Sequence, residues 1–242
     1  MHEPHFYIDD AGESGGELTL VGENLHHLRH VLCLRPGENV VLFDRDGRRA
    51  LCEIKEVLKT HASLQVKDRF CVDPPPLALQ IGMAFLQPHK VDLTIQKCAE
   101  WAAASLTPLI TRRSRAFAGD KRPRWQKIAV DAACQSESPI VLEVKEPMPL
   151  AQFIGTSPEG RRLILDEEEG GAPLRTILES SPPTTATILI GPEGGWERSE
   201  VEQAQKTGFE RASLGRRNFR SETAVISAVT LIMHYWGMAW KK

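Results

Sequence analysis

Two short segments carry residue types that can hold a nucleotide-like ligand and act on charge. The first reads Leu189-Ile190-Gly191-Pro192-Glu193-Gly194-Gly195-Trp196. The second reads Leu214-Gly215-Arg216-Arg217-Asn218-Phe219-Arg220-Ser221-Glu222-Thr223. Glycines allow close approach of backbone to a ligand and positive φ. Arginines stabilise developing negative charge, and a carboxylate can take a proton or orient an arginine. The spacing is neither Gly-x-Gly-x-x-Gly nor a loop closed by Gly-Lys-Ser/Thr, so a dinucleotide fingerprint and a P-loop are both unsupported. Two tight turns without a ligand remain the plainer alternative. The joint presence of Gly-Pro-Glu-Gly-Gly, Leu-Gly-x-Arg and Arg-x-Glu-Thr argues against it.

These segments need elements to position them. The apolar run Thr187 to Ile190 reads as a buried strand that the Gly-Pro pair breaks. Ser199 with Glu202 reads as a capping box for a helix starting near Glu200 and stopping near Gly208. Phe209 to Leu214 reads as a second strand. A last helix is expected from about Glu222 to Trp240, with Ser221 as N-cap. Its stripe Val225, Ala228, Val229, Ile232, Trp236 buries one face, against its own sheet or a partner subunit. Both loops therefore leave the ends of parallel strands, where open α/β sheets bind ligands.

Asp73-Pro74-Pro75-Pro76 marks a boundary, since consecutive prolines join neither a central strand nor a helix interior. It separates residues 1–72 from residues 77–242. Upstream, strands are expected over 17–21, 39–43, 50–57 and 63–66, with a helix over 26–34. Asp46-Gly47 is a hairpin signal, and the pattern suggests a small barrel or sandwich. Downstream, strands over 77–86, 106–111, 140–144 and 161–166 alternate with helices over 90–103, 125–134 and 173–178. That alternation gives an α/β class with a parallel sheet.

The 242-residue chain has an apolar fraction of 41% and a formal charge of −2, ordinary values for a soluble globular protein. The charge is uneven. Residues 86–127 hold nine Lys/Arg against three acids, and residues 205–242 hold seven against two. Two basic zones suggest a polyanion bound at one face. Residues 1–72 are net acidic, so phosphate contacts there, from Arg29, Arg35, Arg45, Arg48 or Arg49, must be local. The five cysteines (33, 52, 71, 98, 134) contain no Cys-x-x-Cys; buried thiols are expected, not disulfides or zinc. His26-His27-Leu28-Arg29-His30 lacks the carboxylate or cysteine pattern of a metal site, and a polar helix face is expected instead. The N-terminus shows no secretory pattern and no run approaches 18 apolar residues, so a cytoplasmic location without membrane contact is expected.

The chain resembles the RsmE family of ribosomal RNA methyltransferases, within the trefoil-knotted SPOUT superfamily. The matching segments are Leu189 to Trp196, Leu214 to Thr223, Thr94 to Leu109, Trp125 to Ser136, and His30 to Gly37. The resemblance implies a PUA-like β-barrel for RNA at 1–72, then a knotted α/β methyltransferase domain at 77–242. It implies a homodimer that transfers a methyl group from S-adenosylmethionine to N3 of one decoding-region uridine in 16S rRNA of the small ribosomal subunit. The cofactor would meet Leu165, Leu189, Ile190, Gly191, Glu193, Gly195, Leu214, Gly215, Asn218 and Phe219. Arg220 would stabilise the uridylate, with Arg217 second or on a phosphate. Glu222 would be the base or would orient Arg220. Arg29, Arg35, Arg112, Arg113, Arg115, Arg122 and Arg124 would hold rRNA phosphates; no metal is implied. Two departures stand out. Glu137-Ser138 replaces the family's usual Gly-Arg, and Asn218-Phe219 replaces two aliphatic residues. Ribose 2′-O methylation of rRNA or tRNA, and a non-catalytic RNA-binding module, are the alternatives.

Overall fold

The computed structural model describes residues 3–11, 16–114, 119–167 and 171–238. It divides into two compact units, one formed by Met1–Pro74 with Cys134–Val141 and one by Pro75–Ala133 with Leu142–Lys242. The 134–141 segment, downstream of the prolines, groups with the first unit.

The first unit contains strands β1 (His5–Tyr7), β2 (Glu17–Leu20), β3 (Asn39–Phe43), β4 (Arg48–Val57) and β5 (Ala62–Cys71), in the order β1-β3-β4-β5-β2. Register shifts at Leu51/Cys52 and Ile54/Glu56 interrupt the β4–β5 ladder, and such bulges bend a sheet and sharpen its twist. The expected hairpin joins β3 to β4. Gly47 takes φ 79°, and Asp44, fully buried, accepts from the backbone N–H groups of Asp46 and Arg48. The expected helix starts earlier than its apolar pattern suggested, as α1 (Gly22–His26) continued by a π-helical turn at His27–Val31. Phe6, Leu20, Leu28, Leu42, Ile54 and Leu64 form the core.

Arg49 is buried in this unit. Its guanidinium donates to His5 Nε2 at 3.0 Å, to Ser138 O at 2.7 Å and to Glu137 O at 3.2 Å, and lies 5.6 Å over the Phe43 ring. Burial pulls its pKa below the ordinary arginine value, partly opposed by Glu137. Glu137 takes φ 53°, a conformation that favours glycine, and this is the position where the family's glycine was noted.

The second unit runs β6 (Ala78–Ala84), α2 (Pro88–Glu100), β7 (Ser105–Ile110), α3 (Arg122–Ser136), β8 (Glu143–Val144), β9 (Met148–Pro149), α4 (Leu150–Thr156), β10 (Arg161–Leu165), β11 (Ala172–Pro173), α5 (Leu174–Leu178), β12 (Thr185–Ile190), α6 (Arg198–Lys206), β13 (Glu210–Ser213) and α7 (Ser221–Ile232) with a π-helical turn at Met233–Gly237. The sheet order is β11-β13-β10-β12-β6-β7-β8, with β9 also on β7, and every pairing is parallel. Central strands are buried on both faces, which is why they read as continuous apolar runs. Alternation splits β12: Ala186, Ile188 and Ile190 join the main core, whereas Leu189 joins a second core with Phe153 and Trp196. Gly82 is required beneath that second core, since a Cβ would stand 2.8 Å from both Leu189 Cδ2 and Phe153 Cε1. Sequence reading missed β1, β9, α4 and β11. It also extended β8 back to Ile140. Among the described residues, no helix is long and apolar enough to cross a membrane.

Candidate active site

β10 lies between β12 and β13, so the two loops noted in the sequence leave parallel strands on either side of β10. Pro192 cannot continue the ladder after Ile190. Instead Gly195 N–H donates to Pro192 O at 2.9 Å and closes a turn, with Gly195 at φ 71°. The chain then folds back on β10. The Trp196 indole is buried and donates its N–H to Leu165 O at 2.8 Å. Gly191 makes room for this ring, because a Cβ there would lie 3.0 Å from the indole nitrogen.

The helix after this loop is capped differently from expectation. Glu197 is the N-cap of α6 and forms the capping box with Glu200; Ser199 lies one residue inside the helix. Glu200 also accepts from Arg112 N–H at 3.0 Å. Arg113 Nε donates to Glu197 Oε1 at 2.6 Å and its Nη1 to Gly194 O at 2.9 Å. The segment after β7 is thereby fastened to the glycine loop. Ser221, expected as an N-cap, is the first residue of α7, and Arg220 holds the cap position without a side-chain cap bond.

Between the loops lies a cavity of about 190 Å³. Leu165, Ile190, Ala212, Leu214, Phe219 and Ala224 supply apolar surface; Gly191, Gly194, Gly195 and Gly215 supply open backbone. At Gly195 and Gly215 (φ 120°) no atom lies within 4 Å of where a Cβ would stand, so the cavity is open at both glycines. Asp166, Arg113 and Arg217 bring charge to the lining. Arg211 donates twice to Asp166 Oδ2, at 2.8 Å each. An apolar cleft edged by backbone polar groups and a few charges suits a nucleoside with a charged arm, and these residues fit S-adenosylmethionine.

Of the residues the sequence assigned to the cofactor, Leu165, Ile190, Gly191, Gly195, Leu214, Gly215 and Phe219 line this cavity. Leu189, Glu193 and Asn218 do not. Leu189 points to the opposite face because side chains alternate along a strand, and Asn218 is exposed. Arg217 lines the cavity; Arg220 and Glu222 flank it without lining it, and Arg220 is exposed. Sequence reasoning missed Asp166, Glu167, Pro192, Gly194, Trp196, Ala212, Ser213, Ser221 and Ala224. Asp166 sat at the end of an expected strand, which was a usable signal. Arg113, expected on RNA, forms part of the cavity wall.

Glu193 and Glu222 share a cation. Lys90 Nζ pairs with Glu193 Oε1 and, at 3.2 Å, with Glu222 Oε2; the Lys90 and Glu222 side chains are only 13% and 14% exposed. The hydrogen bond to Glu193, opposed by desolvation and aided by Glu222, raises the Lys90 pKa above its ordinary value. Nothing in the local sequence marked Lys90.

The remaining arginines assigned to RNA are differently placed. Arg122 pairs with Glu146 at 2.7 Å. Arg124 forms a fork with Asp92, at 2.8 and 2.6 Å, which raises its pKa. Arg29 donates to Lys59 O at 3.3 Å. Arg35 and Arg112 are exposed, and Arg115 lies outside the described residues. Cys52 and Cys98 are buried as expected, but Cys33 and Cys71 are exposed.

A family model described as an RNA methyltransferase domain matches residues 73–233, and one described as an RNA methyltransferase PUA domain matches residues 20–67. The chain is 30% identical to ribosomal RNA small subunit methyltransferase E of Synechocystis over 220 residues, covering 89% of this chain and 72% of that protein. It is 29% identical to the Bacillus subtilis protein of the same name, covering 92% and 91%. The crystal structure of ribosomal RNA small subunit methyltransferase E from Neisseria gonorrhoeae bound to S-adenosylmethionine is similar with a TM-score of 0.89 and 28% identity, covering 98% of this chain and 99% of that one. A methyltransferase of Legionella pneumophila in complex with the same cofactor gives a TM-score of 0.89 at 27% identity, covering 98% and 100%. The chain belongs to the RNA methyltransferase family that includes ribosomal RNA small subunit methyltransferase E.

Proposed function

We propose that this protein methylates N3 of a uridine in 16S rRNA of the small ribosomal subunit, using S-adenosylmethionine bound in the cavity at the ends of β10, β12 and β13. The observation that carries this reading is the cavity itself. It combines an apolar, glycine-edged cleft with arginine at its lining, and Arg220 and Glu222 stand at the adjoining start of α7.

The cofactor supplies an electrophilic methyl group on a sulfonium sulfur. The chain must make a poor nucleophile reactive, since uracil N3 keeps its proton at neutral pH. Loss of that proton leaves negative charge on N3 and on the two carbonyl oxygens beside it. Arg220, and Arg217 behind it, would neutralise that charge, which is the largest contribution a site of this kind makes. Glu222 would accept the proton or hold Arg220 in place. The N3 lone pair then forms the new N–CH₃ bond as the S–CH₃ bond breaks, and its electron pair returns to sulfur. The base must be unpaired or turned out of its stack for N3 to be reached. The exposed arginines Arg35 and Arg112 would contact phosphates. A homodimer would give α7 and its π-helical extension a partner: Leu231, Tyr235 and Met238 leave apolar surface exposed there.

The test is methyl transfer to small subunits from cells that lack this gene, with the modified nucleotide located by mass spectrometry. Methyl on uracil N3, reduced at least a hundredfold in Arg220→Ala on the scale of a lost charge-stabilising donor, supports the proposal. Methyl on a ribose refutes it.

A further inference from the structure

Lys90 is the third residue of α2, and the first turn of that helix contains no acid. A cation there meets the positive end of the helix dipole, so its own helix does not favour it. What holds it are two carboxylates that come from elsewhere in the chain, Glu193 and Glu222. Glu193 sits between Pro192 and Gly194, and Glu222 follows Ser221; all three of these neighbours line the cavity, whereas Lys90 does not. One ammonium group thus joins the glycine loop after β12 to the start of α7. Without it, two carboxylates within ion-pair reach of the same point would repel each other, and each is one residue from the cavity wall.

We propose that Lys90 is a positioning residue, fixing the Pro192–Gly194 turn and the first turn of α7 against each other so that the cofactor cavity keeps its shape. The inference rests on the proposed cofactor site but not on the identity of the methylated atom.

Calorimetry with S-adenosylmethionine at pH 8 tests it on wild type, Lys90→Met, Lys90→Arg, Glu193→Gln and Lys90→Met/Glu193→Gln. Lys97→Met, which breaks only a pair with Glu100 on the same helix, controls for loss of a lysine from α2. Lys90→Met is expected to weaken binding about tenfold at pH 8, the scale of coupling between contacting charges. The double variant should recover most of the affinity, and Lys90→Arg should stay within about threefold of wild type. Wild-type affinity in Lys90→Met, or a loss not rescued by Glu193→Gln, overturns the proposal. Methyl found on a ribose would refute the base-methylation reading while leaving this affinity pattern intact.

Discussion

Trp196→Phe isolates the contact that folds the glycine loop onto β10. The indole N–H donates to Leu165 O at 2.8 Å within a buried contact. Phenylalanine keeps an aromatic ring there but offers no donor. A buried carbonyl left without its partner costs about 1–3 kcal/mol, and the smaller ring forfeits about 1 kcal/mol of contact with Leu189, Phe153 and their neighbours. The sum is about 2–4 kcal/mol, which at this chain length lowers Tm by about 5–15 °C. Leu165 also lines the cavity, so part of the loss should appear in ligand affinity. A share of about 1.4 kcal/mol corresponds to tenfold weaker S-adenosylmethionine binding. Differential scanning calorimetry and titration calorimetry read the two effects. A variant that keeps Tm within 1 °C and affinity within about twofold would refute the claim that this bond organises the loop.

Three further outcomes follow from local geometry. Cys33 takes φ 53° at an exposed position; Cys33→Gly relieves about 1–2 kcal/mol of left-handed strain against about 0.4–1 kcal/mol of added unfolded-state entropy, and urea unfolding should show a net gain. In the native protein iodoacetamide should label Cys33 and Cys71, while Cys52, whose thiol burial pushes up to about 11, and Cys98, raised further by complete burial, react only after unfolding. Hydrogen bonds from Lys55 and Lys67 hold the Glu53 carboxyl down to about 2; this stabilisation is present above the unfolded carboxylate pKa and is lost as pH falls from about 4.5 toward 2, so Glu53→Gln should flatten the stability profile in that window, read by urea unfolding at each pH.

Much of the architecture was visible because buried parallel strands announce themselves as unbroken apolar runs. β12 and the glycine break after it are the clearest case. Position within a run was visible too, had alternation been applied: Ile190 and Leu189 are adjacent and therefore face opposite sides, so both could not line one cavity. The α6 cap was misplaced because Ser199 is the better N-cap by residue preference, whereas the real cap, Glu197, is selected by its bonds to Glu200 and to Arg113. The Arg113–Glu197 bond joins residues 84 positions apart and leaves no local signal. Lys90 is hidden for the same reason, lying 103 positions from Glu193. The arginines were legible as charge but not as function. Arg124 and Asp92, on α3 and α2, satisfy each other, and only folding reveals that pairing.

The cavity as the seat of the methyl donor is tested most directly by filling it. Ala224 lines the cavity from α7, where a larger side chain needs no backbone change. S-adenosylmethionine titrated into Ala224→Phe by calorimetry should show binding weakened at least about tenfold, with Tm within a few degrees of wild type. Wild-type affinity in a folded Ala224→Phe would place the cofactor elsewhere and contradict the assignment.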